Sequence, residues 1–158
     1  MKLYHGSNVE VKQLAIKTSD FGPAFYTTSS LSQAQEWAKT KKMRRKKGEP
    51  TVSCYDFDEK LAKEHLNTKH FFFPDEDWLT FIVANRRAIY KGKKYDLVIG
   101  PVADDRTIIV IDNYMKGLLN PKMALEALEP QKLTDQYAFL TKKSISYLKY
   151  EGVEIYGI

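Results

Sequence analysis

The chain has 158 residues, of which 43% are hydrophobic, and its 8 Phe, 10 Tyr and 2 Trp promise a core rich in aromatic rings. That length suits one domain spanning residues 1–158. With 25 Lys and Arg against 20 Asp and Glu the formal charge is +5, which excludes an acidic disordered tail and raises the question of a polyanionic partner.

Residues 1–5 read as a short strand, followed by a turn at Gly6-Ser7-Asn8. Asp20-Phe21-Gly22-Pro23 is a strong turn signal before a β-prone run, Ala24-Phe25-Tyr26-Thr27-Thr28. Ser30 or Ser32 can cap a helix whose apolar positions include Ala34, Trp37 and Ala38, and which stops at Gly48-Glu49-Pro50. Residues 51–57 alternate as a half-buried strand. Cys54, the one cysteine, therefore reads as packed rather than reactive, and no disulfide can form within the chain. Asp58 can cap a short helix over 59–64. Pro74-Asp75-Glu76-Asp77 opens another, with carboxylates where the helix dipole favours them, and Trp78, Phe81, Ile82 and Asn85 continue it. A strand over 95–99 is closed by Gly100-Pro101. Residues 107–119 read as mostly helical, although their β-branched run also suits a strand, and 121–128 as a second helix. A strand at 136–140, a helix at 142–149 and a strand at 153–156 complete the chain. Without a regular strand–helix alternation, the pattern predicts an α+β fold with non-sequential strand pairing.

Lys2 and His5 interrupt any secretory apolar run, and Ile108-Ile109-Val110-Ile111 is far too short to span a membrane. A cytoplasmic protein is expected.

Several tempting motifs fail. Asp20-Phe21-Gly22 spells the kinase magnesium motif, but the chain is too short for two kinase lobes and has no catalytic-loop signature. Gly92-Lys93 lacks the spacing of a phosphate loop. His65 and His70, five apart, do not share a helix face, so no metal site is expected.

Three separated pieces remain: Leu3-Tyr4-His5-Gly6-Ser7, the run from Asp20 to Thr28, and Thr134-Asp135-Gln136-Tyr137. His5 puts an imidazole at a strand end beside a glycine whose main chain a ligand can approach, and Ser7 adds a hydroxyl. Tyr26 and Trp37 can form a slot for a flat ring. Each also has an ordinary explanation, His5 as a satisfied core or edge histidine and the aromatics as core.

In that order the pieces resemble the ADP-ribosyltransferase superfamily, in its His–Tyr–Glu branch of diphtheria-toxin-like and poly-ADP-ribose-polymerase-like enzymes. More closely, the chain resembles the small bacterial family catalogued as domain of unknown function 3990. Gln33-Ala34-Gln35-Glu36-Trp37-Ala38, Asn85-Arg86-Arg87 and the run from Tyr95 to Asp105 share in that likeness, which covers most of the sequence. The resemblance implies a split antiparallel β-sandwich with flanking helices and NAD in its cleft as substrate, without a metal. By it, His5 would bind the adenine-side ribose and the Gly6 backbone the carboxamide, with Ser7 and Thr27 beside them. Tyr26 would stack on the nicotinamide, and Trp37 falls where polymerase-like members place a second aromatic. The serine those members carry three residues earlier is Ala34 here.

The larger departure is Gln136, which stands where the family's catalytic glutamate opens a late strand. A glutamine keeps a hydrogen bond to the ribose 2′-hydroxyl but brings no negative charge to the cationic sugar formed as nicotinamide leaves. Asp135 would point to the opposite strand face, which leaves carboxylates such as Asp20 to compensate.

Lys39, Lys41, Lys42, Arg44, Arg45, Lys46 and Lys47 put seven cations into nine residues; without them, acidic residues outnumber basic ones. The run is either a solvated helix end suited to the dipole or a contact for nucleic acid, the NAD diphosphate or an acidic partner. The resemblance also points to a toxin–antitoxin pair. The expectations are therefore a toxin transferring ADP-ribose to a macromolecule, a non-catalytic NAD or ADP-ribose binding module, or an NAD glycohydrolase.

Overall fold

The computed structural model describes residues 1–7, 17–103, 105–128 and 133–155. Its elements are β1 (Lys2–Ser7), β2 (Lys17–Ser19), β3 (Gly22–Thr28), α1 (Leu31–Arg45), β4 (Thr51–Phe57), α2 (Glu59–His65), β5 (Thr68–His70) and α3 (Glu76–Arg86). They continue as β6 (Leu97–Pro101), α4 (Asp105–Met115), α5 (Pro121–Leu128), β7 (Asp135–Phe139), α6 (Lys142–Ile145) and β8 (Leu148–Ile155). The strands lie in the order β5-β6-β7-β3-β1-β4-β8, with β2 added as a hairpin on β3. Among the described residues, only β5 and β6 run parallel. The non-sequential order bears out an α+β fold.

Side-chain alternation divides the core by sheet face. One face buries Leu3, Phe25, Leu97, Ile99, Tyr137 and Phe139 with Tyr55 and Phe57, and Ala62 and Leu66 close over them. The other face carries two separate covers. Ala24, Val98 and Ala138 lie under Trp78, Leu79 and Ile82 of α3 and Ile111 of α4. Val52, with Tyr4 and Cys54, lies under Ala34 and Ala38 of α1. Fully burying one such large apolar side chain contributes about 1.5–3 kcal/mol.

Ser30 caps α1 by accepting from the Gln33 amide at 3.2 Å. The helix ends at Lys46, whose φ of 53° is left-handed. Asp58 and Asp75 cap α2 and α3 in the same way, accepting from Leu61 and Trp78.

Three expectations are corrected. Gly100 and Pro101 do not close the strand expected over 95–99; they belong to β6, which starts at Leu97, and pair with Gln136 and Asp135. Gly6 and Ser7 do not turn; they extend β1 and pair with Val52 and Thr51. The expected helix over 142–149 lasts one turn, with a capping box between Thr141 and Ser144. It yields at Leu148, where β8 begins to pair with Phe57 of β4, so ladder pairing and burial override local propensity. Asn8, in the expected turn, and Tyr156, in the expected last strand, lie outside the described residues. Among the described residues no helix is long and apolar enough to cross a membrane.

Candidate functional site

The seam between the two covers opens as a cleft of about 400 Å³. Tyr26 of β3 and Gln136 of β7 come from the sheet, Trp37, Lys41, Arg44 and Arg45 from α1, Asp20 from the turn before β3 and Arg86 from the end of α3. Val102 and Ala103 complete the lining.

The sheet makes this seam by parting. β1 pairs with β4 from Lys2 to Ser7, but its one registered pair with β3 is Tyr4 with Thr28. Beyond that pair, side chains take over from the ladder. His5 Nδ1 donates to the Tyr26 carbonyl at 2.7 Å, with its ring stacked on Phe25 at 4.4 Å. Lys41 Nζ donates to the Gly6 carbonyl at 2.6 Å.

The α1 spacing accounts for the cationic wall. Residues 37, 41, 44 and 45 lie one or two turns apart and so share a face. The basic run, expected at the end of this helix, lies mostly inside it, since α1 continues to Arg45. Lys41, Arg44 and Arg45 line the cleft, while Lys39 pairs with Glu36 at 3.8 Å on the exposed side. Thr134 Oγ1 donates to Gln33 Oε1 at 2.9 Å, which ties the start of α1 to the residues leading into β7.

Tyr26 is held at both ends. Its hydroxyl accepts from the Phe21 amide at 3.0 Å and donates to the Gly22 carbonyl, fixing the β2–β3 turn over the cleft. Asp20, in that turn, is buried, and Arg86 grips it through Nε at 2.9 Å and Nη2 at 2.6 Å. Gln136 is 3% exposed, and its Nε2 makes no hydrogen bond in the structure. A buried amide nitrogen without an acceptor is costly, and the residue that carries it lines an open cleft.

Among the residues singled out from sequence, the fold brings Tyr26, Trp37, Gln136 and Asp20 to one cleft. His5 is buried and acts on the Tyr26 backbone. Gly6 faces α1, because a Cβ there would lie 2.1 Å from the Ala34 carbonyl oxygen. Ser7 is buried opposite Thr51, and Thr27 is buried and donates to the Tyr137 carbonyl at 3.0 Å. Asp135 is exposed while Gln136 is buried, as strand alternation requires. Arg86 was not foreseen as a site residue; no local signal links it to Asp20, 66 positions away.

A second cavity of about 510 Å³ lies across the same turn, lined chiefly by Phe21, Pro23, Phe81, Tyr90, Tyr95 and Leu140, with Lys93 and Lys94 among its polar residues. It is the more apolar of the two. Among the described residues no three His, Cys, Asp or Glu side chains are grouped to hold a metal ion.

No curated protein and no solved structure matches the chain. A family model, described as a protein of unknown function, DUF3990, matches residues 1–150. The cleft, its parted strands and its cationic helix face are thus features of a chain that belongs to the DUF3990 family.

Proposed function

We propose that this cleft binds NAD and that the protein transfers ADP-ribose from it to a macromolecular acceptor in the cytoplasm, as a bacterial toxin restrained by a small antitoxin protein. The observation that carries this reading is the meeting of Tyr26, Trp37 and the unpartnered Gln136 Nε2 beneath Lys41, Arg44 and Arg45. Aromatic faces suit a flat ring, cations suit a diphosphate, and a buried donor suits a sugar hydroxyl. One ligand class presents all three, a nucleotide. The parting of β1 from β3 supports the split-sheet architecture that the likeness to ADP-ribosyltransferases implies.

In the reaction, the bond between ribose C1′ and the nicotinamide nitrogen breaks. Its electron pair leaves with nicotinamide, and positive charge develops on the ribose. A nucleophile of the acceptor then bonds to C1′ and loses its proton. Tyr26 and Trp37 orient the ring, Gln136 Nε2 donates to a ribose hydroxyl oxygen, and His5 positions Tyr26 through its carbonyl.

A second reading, a module that binds NAD or ADP-ribose without turnover, is favoured by the neutrality of Gln136. With water as the acceptor, the same site would be an NAD glycohydrolase. Incubation with NAD labelled in its ADP-ribose moiety and with cell lysate separates them. Labelled acceptor that Tyr26→Ala and Gln136→Ala both abolish supports transfer. Nicotinamide release without labelled acceptor means hydrolysis, and binding without release means the module.

A further inference from the structure

We infer that Asp20 supplies the negative charge that Gln136 lacks, and that Arg86 is the positioning residue that aims it. This rests on the NAD reading above. A neutral amide can bind a ribose hydroxyl, but it cannot balance the charge that appears on the sugar as nicotinamide departs. Among the described residues, Asp20 is the one acidic residue lining a cleft otherwise charged by Lys41, Arg44, Arg45 and Arg86.

Its geometry suits that work. Arg86 Nε and Nη2 both donate to Oδ1, so neither of these hydrogen bonds occupies Oδ2. Arg86 Nη1 also lies 3.9 Å from Asp112, so one guanidinium serves two carboxylates and the trio carries a net negative charge. The carboxylate is also immobilised. Tyr26 clamps the turn through Phe21 and Gly22, and Gly22 has a φ of +94°. A Cβ at Gly22 would lie 2.9 Å from Asn85 Oδ1, so the tip of the hairpin sits hard against α3. A charge fixed before reaction needs no rearrangement when the opposite charge develops. The same turn thus holds the aromatic ring and the anion in one rigid unit.

Two NAD analogues with a non-hydrolysable link test the assignment by calorimetry. One carries a neutral carbocycle for the nicotinamide ribose, the other a protonated pyrrolidine that mimics its charge. The wild-type protein is expected to prefer the cationic analogue. Asp20→Asn should cut that preference at least about 10-fold while moving neutral-analogue affinity less than about 3-fold, and should lower nicotinamide release by on the order of 10²-fold. Gln136→Glu in the Asp20→Asn background should restore both. Asp20→Asn with Arg86→Gln replaces the ion pair by two amides and serves if the single variant unfolds; it should lose the same preference. An unchanged preference in these variants, or equal loss of both analogues, overturns the role of Asp20 alone. Failure of the wild-type protein to bind either analogue overturns the NAD reading and this assignment with it.

Discussion

Tyr4 and Thr28 form the one registered pair between β1 and β3, and past it the strands are joined by side chains instead of a ladder. His5 takes the Tyr26 carbonyl and Lys41 takes the Gly6 carbonyl. Backbone acceptors inside a fold must find donors. The strands can separate because an imidazole and an ammonium take over what a neighbouring strand would have supplied. Separation on this face leaves room between α1 and α3, and that room is the cleft.

Gly6 should tolerate no side chain. A Cβ would meet the Ala34 carbonyl oxygen at 2.1 Å and the Ala38 amide nitrogen at 2.9 Å, both backbone atoms of a packed helix. Overpacking costs about 1–3 kcal/mol where side chains can yield, and here main chain must move. Gly6→Ala is expected to reach the top of that range or exceed it, read as the midpoint of urea unfolding. An unshifted midpoint would mean that α1 does not rest on β1 as described.

Removing Arg86 should harm stability more than neutralising Asp20. Arg86→Gln leaves a buried carboxylate without its cation, whereas Asp20→Asn leaves an arginine that is 24% exposed and has Asp112 nearby. Breaking a fully buried pair costs about 3–5 kcal/mol; because the cleft admits water, a loss nearer about 2–3 kcal/mol is expected for Arg86→Gln. Chemical denaturation of both variants checks the order, and a less stable Asp20→Asn would reverse the account.

The two sides of α1 should differ in NAD binding. Arg44 lines the cleft, whereas Lys39 pairs with Glu36 on the exposed side. Arg44→Gln is expected to weaken NAD binding by roughly 10-fold, as loss of one charge-assisted phosphate contact does, and to flatten its salt dependence. Lys39→Gln should change it by less than about 2-fold, since exposed charges are well screened. Equal effects would mean that the run attracts anions without a defined site.

His70 should make stability fall toward acid. Burial, with the Lys63 ammonium beside it, holds its imidazole below the ordinary 6.5, against weaker opposing pulls from Glu59 and Asp135. Lys63 Nζ lies 2.9 Å from its Nδ1, and the ring stacks on Phe72 at 3.9 Å. The unfolded chain therefore takes up this proton at a higher pH than the folded protein does. Stability contributed by the neutral ring is complete above 6.5 and is lost as pH falls through that value, until the folded imidazole also protonates. His70→Gln should flatten the dependence of the unfolding midpoint between about pH 7 and pH 5; an unchanged slope contradicts this.

Much of the fold was legible because its signals are local. The strand at 51–57 stands where its β-prone run places it, although both its faces are largely buried rather than one; Ser30, Asp58 and Asp75 announce helix starts, and Asp20-Phe21-Gly22-Pro23 marks the hairpin turn. β5 was missed, since Thr68-Lys69-His70 carries no apolar alternation and is a strand only by pairing with β6. The helix expected over 142–149 failed for a related reason, because β4 captures the chain from Leu148 onward. At the site, Tyr26, Trp37 and Gln136 stood out by order and residue type. The cationic wall was readable in principle from the 37, 41, 44 and 45 spacing. The Asp20–Arg86 pair was not, because only the tertiary fold brings its partners together.

Crystals of the protein soaked with a non-hydrolysable NAD analogue test the central claim most directly. The expected density lies in the seam, with the nicotinamide ring against Tyr26, the diphosphate beside Lys41 and Arg44, and a ribose hydroxyl within hydrogen-bond distance of Gln136 Nε2. Density in the neighbouring cavity lined by Phe81, Tyr90 and Tyr95, or in neither place at saturating analogue, would contradict it.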